Sequence, residues 1–245
     1  MVKVNRRIDA IFEPLAAGSR DRIMTDVTSK PFARFEDPLS FFSRAMTKLH
    51  SLWVSATYPF ASIGGNLSMH STCILSRRVA PRIKLGNSVI VRKNAWLNVL
   101  PDAEGETNLF IGDNSCINAQ CTISAKNYIH VDSDVMVSAC VLIMDHNHAY
   151  EDLRSAVSNQ GTTPGGTIRI EQGCWIGHGA AIVCNQGELV LGRNSVVAAN
   201  ALVTKSCPPH SVLVGNPARL ARQVDPATGV WTGGAGRAAV SEPVR

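Results

Sequence analysis

The sequence predicts an all-β protein, a parallel β-helix in which short strands form the faces of a stacked prism. Three observations lead there. Branched aliphatic residues recur at every sixth position through Ile111, Ile117, Ile123, Ile129, Val135 and Val141. Four positions after most of them stands a small or polar residue: Ser115, Cys121, Asn127, Ser133 and Ala139. The period also excludes the common alternatives, because an amphipathic helix needs spacings of three and four and a half-buried strand a spacing of two. A beat of six suits a face that turns one aliphatic inward, followed by a corner whose small residue lets the chain bend. Stacked coils then bury their aliphatics against one another, as in any solenoid.

In chain order, residues 1–58 form an N-terminal segment, 59–214 the β-helix and 215–245 a C-terminal extension. Residues 1–36 are mixed in composition and predict no element. Asp37-Pro38, an N-cap and a first-turn proline, opens a helix over about 38–57. Leu39, Phe42, Met46, Leu49 and Trp53 are its apolar stripe, expected to cover the open edge of the first coil. The beat starts weakly at Ile63, Met69 and Leu75 and strengthens at Leu85, Val91 and Leu97. Beyond Val141 it resumes at Ile170, Ile176 and Ile182, then at Leu191, Val197 and Val203.

A regular prism can place extra residues only on its outside, so breaks in the beat are informative. Pro101 and Gly105 mark a short loop between Leu97 and Ile111. A longer loop protrudes over about 145–167 and ends in the turn signal Pro164-Gly165-Gly166. Three residues around Asn185, Gln186 and Gly187 bulge before Leu191. Loops on rigid scaffolds carry function, which directs attention to residues 145–167. After Val214 the chain is expected to leave the prism as a loop and a short helix. The tail from Asp225, rich in Gly, Ala, Pro and Thr, is expected to be disordered.

Composition narrows the class. With 245 residues, 45% hydrophobic and 18% charged, the chain is long enough for a sizeable core and is not a disordered sequence. Seven scattered cysteines without a C-x-x-C pair argue against a disulfide framework and for a reducing cytosol. No apolar run reaches membrane-span length and no signal peptide is visible, so a soluble cytoplasmic protein is expected. The net charge of +5 is too small to argue nucleic-acid binding by itself. No carboxylate lies between Pro38 and Pro101, a stretch holding Arg77, Arg78, Arg82, Lys84, Arg92 and Lys93. Such a patch is either a solvated rim or an attraction for an anionic acceptor, including a lipid-linked phosphate at a membrane surface. Aromatic residues are not interleaved there as single-stranded nucleic acid requires, and that partner is rejected.

The residues with chemical potential stand where the beat stops. In Val141-Leu-Ile-Met-Asp-His-Asn-His148, His146 and His148 share a parity and can face one side of an extended segment. An imidazole is the natural general base for an alcohol near neutral pH. The cysteines at corner positions, Cys73, Cys121, Cys174 and Cys207, read as small fillers rather than nucleophiles.

The six-residue beat, a His-x-x-acid step opening an outward loop, Trp175-Ile176-Gly177 after it and a closing Gly215-Asn216-Pro217-Ala218 occur in that order. In this combination the sequence resembles the hexapeptide-repeat, acyl-CoA-dependent O-acetyltransferases that act on sugars and antibiotics. The resemblance covers roughly residues 60–215 and implies a left-handed β-helix. It implies a histidine base at the loop start, matched by His148 with Glu151 three residues on and less well by His146. Asp145, Asn147 or Glu151 would orient the ring. It further implies acetyl-CoA as co-substrate with no metal. The pantetheine would lie along Trp175, Gly177, Gly179, Ala180 and Ala198, and the phosphates near Lys205, Arg219 and Arg222. A homotrimer with substrates in the clefts between prisms, and a small-molecule or glycan acceptor, are implied in the same way. Two other readings share the scaffold: a non-catalytic assembly subunit, and a hexapeptide-type carbonic anhydrase holding metal through His146, His148 and His178.

Overall fold

The computed structural model describes residues 38–233. Two compact units divide at Ala45/Met46, inside the helix Pro38–Thr57. The N-cap expected at Asp37 and the last part of the tail, 234–245, lie outside the described residues.

The six-residue beat becomes three parallel sheets, with six coils stacked through them. The first sheet contains Ser62–Ile63, Ile83–Leu85, Leu109–Ile111, Tyr128–Val131, Thr167–Ile170 and Glu188–Leu191. The second runs from Ser68–Met69 through Met136–Val137 and Trp175–Ile176 to Ser211–Val214; the third runs from Ile74–Leu75 through Leu142–Met144 to Leu202–Val203. Each face turns two residues inward, not the single one expected. Leu109 and Ile111, Ile129 and Val131, and Ile168 and Ile170 are all fully buried. Register shows why the simple count still found core positions. Ile111 stacks on Val131 and Leu109 on Ile129, so the beat slips by two residues between Ile123 and Ile129. A slip of two preserves the side-chain parity of a strand, and every aliphatic stays inside.

Corners demand a left-handed backbone step. Asn94, Asn114, Asn194 and Asn200 take it with φ between 53° and 57°, in keeping with the tolerance of asparagine for that region. Gly177 is required for a different reason: a Cβ there would sit 2.6 Å from the amide nitrogen of Ala199 in the next coil.

Two corners are regular in every coil. Outward-facing residues follow at intervals of six, as in Lys84, Ile90 and Trp96, or His130, Met136 and Leu142, or Arg169, Trp175 and Ala181. Each of the five returns from the third sheet to the next strand of the first takes more. The extra residues 76–82, 100–108, 126–127, 145–166 and 184–187 therefore pile along one edge of the prism. They also bond to one another. The Arg82 guanidinium donates to the Ala103 carbonyl, and Asn108 Nδ2 donates to the carbonyls of Lys126 and Asn127 at 3.0 and 2.7 Å.

Two expectations are corrected at the ends of the prism. The segment after Val214 is not a helix: Arg219–Val224 is a strand antiparallel to Ser211–Val214, and it pairs in turn with Trp231–Thr232. The last coil would otherwise expose an open ladder, and this hairpin covers it. Asp225 continues the hairpin instead of starting a disordered tail, its carboxylate accepting from the Ala227 amide. At the other end the helix meets the first coil through Ser51 and Val54, which are buried, while Met46, Leu49 and Trp53 of the expected packing stripe are exposed. Ser51 Oγ takes the Met69 amide at 2.8 Å, satisfying a ladder group that has no coil beneath it.

Truncation of one core position tests the stacking. Ile176→Ala is expected to lower the unfolding free energy by about 2–5 kcal/mol, read from chemical denaturation followed by circular dichroism.

Candidate active site

The longest excursion on the loaded edge leaves the strand Leu142–Met144 and returns at Thr167. Its first residue anchors it. Asp145 is fully buried, and its carboxylate accepts the amides of Lys126 (2.7 Å) and Asn127 (2.8 Å), the two extra residues of the coil below. The Asp145 carbonyl accepts the amide of Gly166 at 2.7 Å, so one residue ties both ends of the loop. Asp145 Oδ1 also lies 2.9 Å from Nδ1 of His146. A carboxylate that already accepts two amides takes a third hydrogen bond as acceptor, so Nδ1 of the imidazole is the donor.

The two candidate histidines are thus placed differently. His146 is 6% exposed and held by Asp145. His148 is exposed, its backbone bridged to Thr162 across the loop and its amide donating to Asn147 Oδ1 at 2.9 Å. Its ring makes no hydrogen bond among the described residues. Glu151 is exposed further along the loop and forms no ion pair with either ring among the described residues. Of the expected catalytic set, the fold brings together Asp145 and His146 and leaves His148 open to solvent.

Lys126 escaped the sequence reading. Its ammonium donates to Thr162 Oγ1 (2.7 Å) and the Thr163 carbonyl (2.9 Å) and pairs with Asp102 at 3.1 Å, joining the 145–166 loop to the 100–108 loop. The signal available was the two-residue slip after Ile123, which marks Lys126 and Asn127 as an insertion on the loop edge. The Lys126 hydrogen bond holds the Asp102 carboxyl below its ordinary range. A depressed carboxyl stabilises the folded arrangement at pH above its unfolded value and loses that contribution as pH falls through the folded one. Asp102 is largely exposed, so the effect is small.

On the proposed donor side, Trp175 is half-exposed and donates from Nε1 to Ser138 Oγ at 3.0 Å. Gly177 and Gly179 occupy the following corner, and Ala198 is partly exposed on the next coil. Ala180 is fully buried with its side chain in the core, its amide donating to Gly177 and its carbonyl accepting from Leu142. Lys205, Arg219 and Arg222 are exposed. Arg222 lies over the Trp231 ring, 5.3 Å from its centroid, and Arg219 Nη1 donates to the Ala218 carbonyl. No group of three or more metal-ligating side chains assembles among the described residues, and His146, His148 and His178 are not brought into one site. Burial raises the thiols of Cys121 to about 11 and Cys174 to about 12, which removes them as nucleophiles.

No family model matches the chain. The relatives are acetyltransferases, O-acetyltransferases among them, and the structural neighbours are acyltransferases with a β-solenoid fold. Over 136 residues the chain is 26% identical to the putative lipopolysaccharide biosynthesis O-acetyl transferase WbbJ of Escherichia coli, covering 53% of this chain and 68% of that one. It is 29% identical to the galactoside O-acetyltransferase of Escherichia coli, over 55% of this chain and 64% of the relative. Among solved structures it superposes, at 18% identity and TM-score 0.51, on AntD, an N-acyltransferase from Bacillus cereus in complex with dTDP and 3-hydroxybutyryl-CoA. That match covers 69% of this chain and 86% of AntD and supports the fold. Among described residues no helix is long and apolar enough to cross a membrane.

Removing the Lys126 ammonium tests the loop anchor. Lys126→Met deletes charge-assisted bonds worth about 1.5–3 kcal/mol each. Amide exchange at Thr163 and Gly166 should accelerate by about tenfold or more, while exchange in the strand Thr167–Ile170 stays near wild type.

Proposed function

We propose that the protein is an O-acetyltransferase that moves the acetyl group of acetyl-CoA directly to a hydroxyl of a sugar or glycan. The observation that carries the reading is the loop tied down by Asp145, which presents an accessible His148 on the edge where the prism has concentrated all its insertions. The acetyltransferase relatives support the donor and the reaction class.

In this reading His148 takes the proton of the acceptor hydroxyl as its oxygen attacks the thioester carbonyl. A C–O bond forms, the carbonyl becomes an oxyanion held by a backbone N–H, and the C–S bond then breaks. The imidazolium returns its proton to the departing thiolate, leaving ester and free CoA. Direct transfer needs both substrates held at once, so positioning supplies much of the rate. The base must reach the hydroxyl it deprotonates, which favours the exposed ring over the buried one. The pantetheine follows Trp175, Gly177, Gly179 and Ala198, with Lys205, Arg219 and Arg222 toward the phosphates. Copies of the chain assemble as a trimer with the site between neighbouring prisms.

A specific observation favours a second assignment of the base. The 2.9 Å contact between Asp145 and His146 is a base held by an orienting carboxylate, an arrangement general in activated sites. Single variants separate the two. His148→Ala is expected to lower transfer to a sugar acceptor, measured by thiol release, by about 10²–10⁴ with an unchanged melting temperature. His146→Ala should lower the melting temperature and reduce transfer less. The reverse pattern assigns the base to His146. Calorimetric titration with acetyl-CoA should show saturable binding at one site per chain; no binding at millimolar ligand overturns the transferase reading and favours an assembly subunit.

A further inference from the structure

From Met46 to Thr57 the helix turns His50, Ser51 and Val54 toward the first coil. Ser51 and Val54 are buried, and His50 Nδ1 lies 3.1 Å from the Met69 carbonyl. Its apolar residues face the other way: Met46 is 44% exposed, Leu49 62%, Leu52 58% and Trp53 55%. Met46, Leu49 and Trp53 follow at helical spacing and form one continuous stripe. A soluble helix ordinarily buries such a face, and a contiguous exposed apolar patch marks an interaction surface.

Charge identifies the partner. Between Pro38 and Pro101 the sequence has no carboxylate. The helix carries Lys48, and the first two coils add exposed Arg77, Arg78, Arg92 and Lys93. None of these five forms an ion pair among the described residues. A second copy of the chain would bring the same cations to the contact and no acids from this region to offset them, so the like charges oppose self-association through this face. An anionic bilayer offers what the surface lacks, with phosphates for the cations and an acyl boundary for aromatic and aliphatic side chains.

We propose that the exposed face of this helix docks the protein peripherally on an anionic membrane surface, with the basic first coils toward the lipid headgroups. The inference does not depend on the acyltransfer reading. It makes the N-terminal end of the prism the membrane end and leaves the loaded edge free along its length.

Cosedimentation of the full chain with vesicles tests it. Binding to phosphatidylcholine containing about 30% phosphatidylglycerol should be about tenfold or more tighter than to phosphatidylcholine alone, and severalfold weaker when salt rises from about 0.1 to 0.5 M. Leu49→Glu and Trp53→Glu should each reduce it about tenfold or more; the Leu49→Glu variant should keep its circular dichroism and melting temperature because that side chain is exposed, while Trp53, whose ring meets Tyr58 at 5.7 Å, is the second probe. Equal binding to both vesicle types, no binding to either, or variants that bind like wild type would each overturn the proposal. So would a Leu49→Glu variant that loses mass by light scattering while vesicle binding is unaltered, since the face would then be a contact between copies.

Discussion

Backbone stacking between successive coils is the constraint on which the rest of the molecule depends. Each short strand pairs in parallel with the one above and below, and a strand of two residues such as Met136–Val137 has almost no stability except through those neighbours. Stacking fixes the registers at two corners and keeps the interior aliphatic. It leaves one edge where the chain can gain residues without disturbing either. The loops on that edge are therefore a geometric product of the solenoid, and they come to lie together although they are far apart in sequence.

Asp145 shows how the edge becomes a site. Its carboxylate takes the place of a strand neighbour for the amides of Lys126 and Asn127, which the two-residue slip has pushed out of the ladder. The same oxygen that closes the corner reaches His146. A buried carboxylate is stable only when its acceptor capacity is filled, and here two amides and an imidazole fill it. The loop is thus fastened at its root by Asp145 and along its span by Lys126, while His148 is left accessible. Rigidity and exposure are divided between neighbouring residues.

The two ends of the prism solve the open-edge problem differently. At the C-terminal end a hairpin extends the second sheet, and Arg222 packs on Trp231. At the N-terminal end the helix supplies Ser51 to a ladder amide and Val54 to the core, and keeps its aromatic and aliphatic side outward. A cap that used its apolar stripe inward would have no second surface to offer. The arrangement seen here makes one element both a cap and an exposed face.

Much of the fold was legible in the sequence because a prism interior accepts only one kind of residue. The positions Ile111, Ile117, Ile123, Val135 and Val141 announce the coils, and the breaks after Leu97, Val141 and Ile182 announce the excursions. Side-chain parity protected that reading even where the register slipped between Ile123 and Ile129. The two histidines at the loop start were legible for the same reason, since they stand where the beat stops. Hydropathy could not say which side of the helix faces the coils, because Ser51 is drawn inward by an unpaired amide and not by its own polarity. Nor could it show that Arg219–Val224 pairs as a strand, which depends on the open ladder of Ser211–Val214. Sequence alone determined the repeat, the core and the place of the loop. Only the tertiary structure decided that all insertions share one edge and that Asp145 and Lys126 secure the loop, because those contacts join residues on different coils and leave no period in the chain.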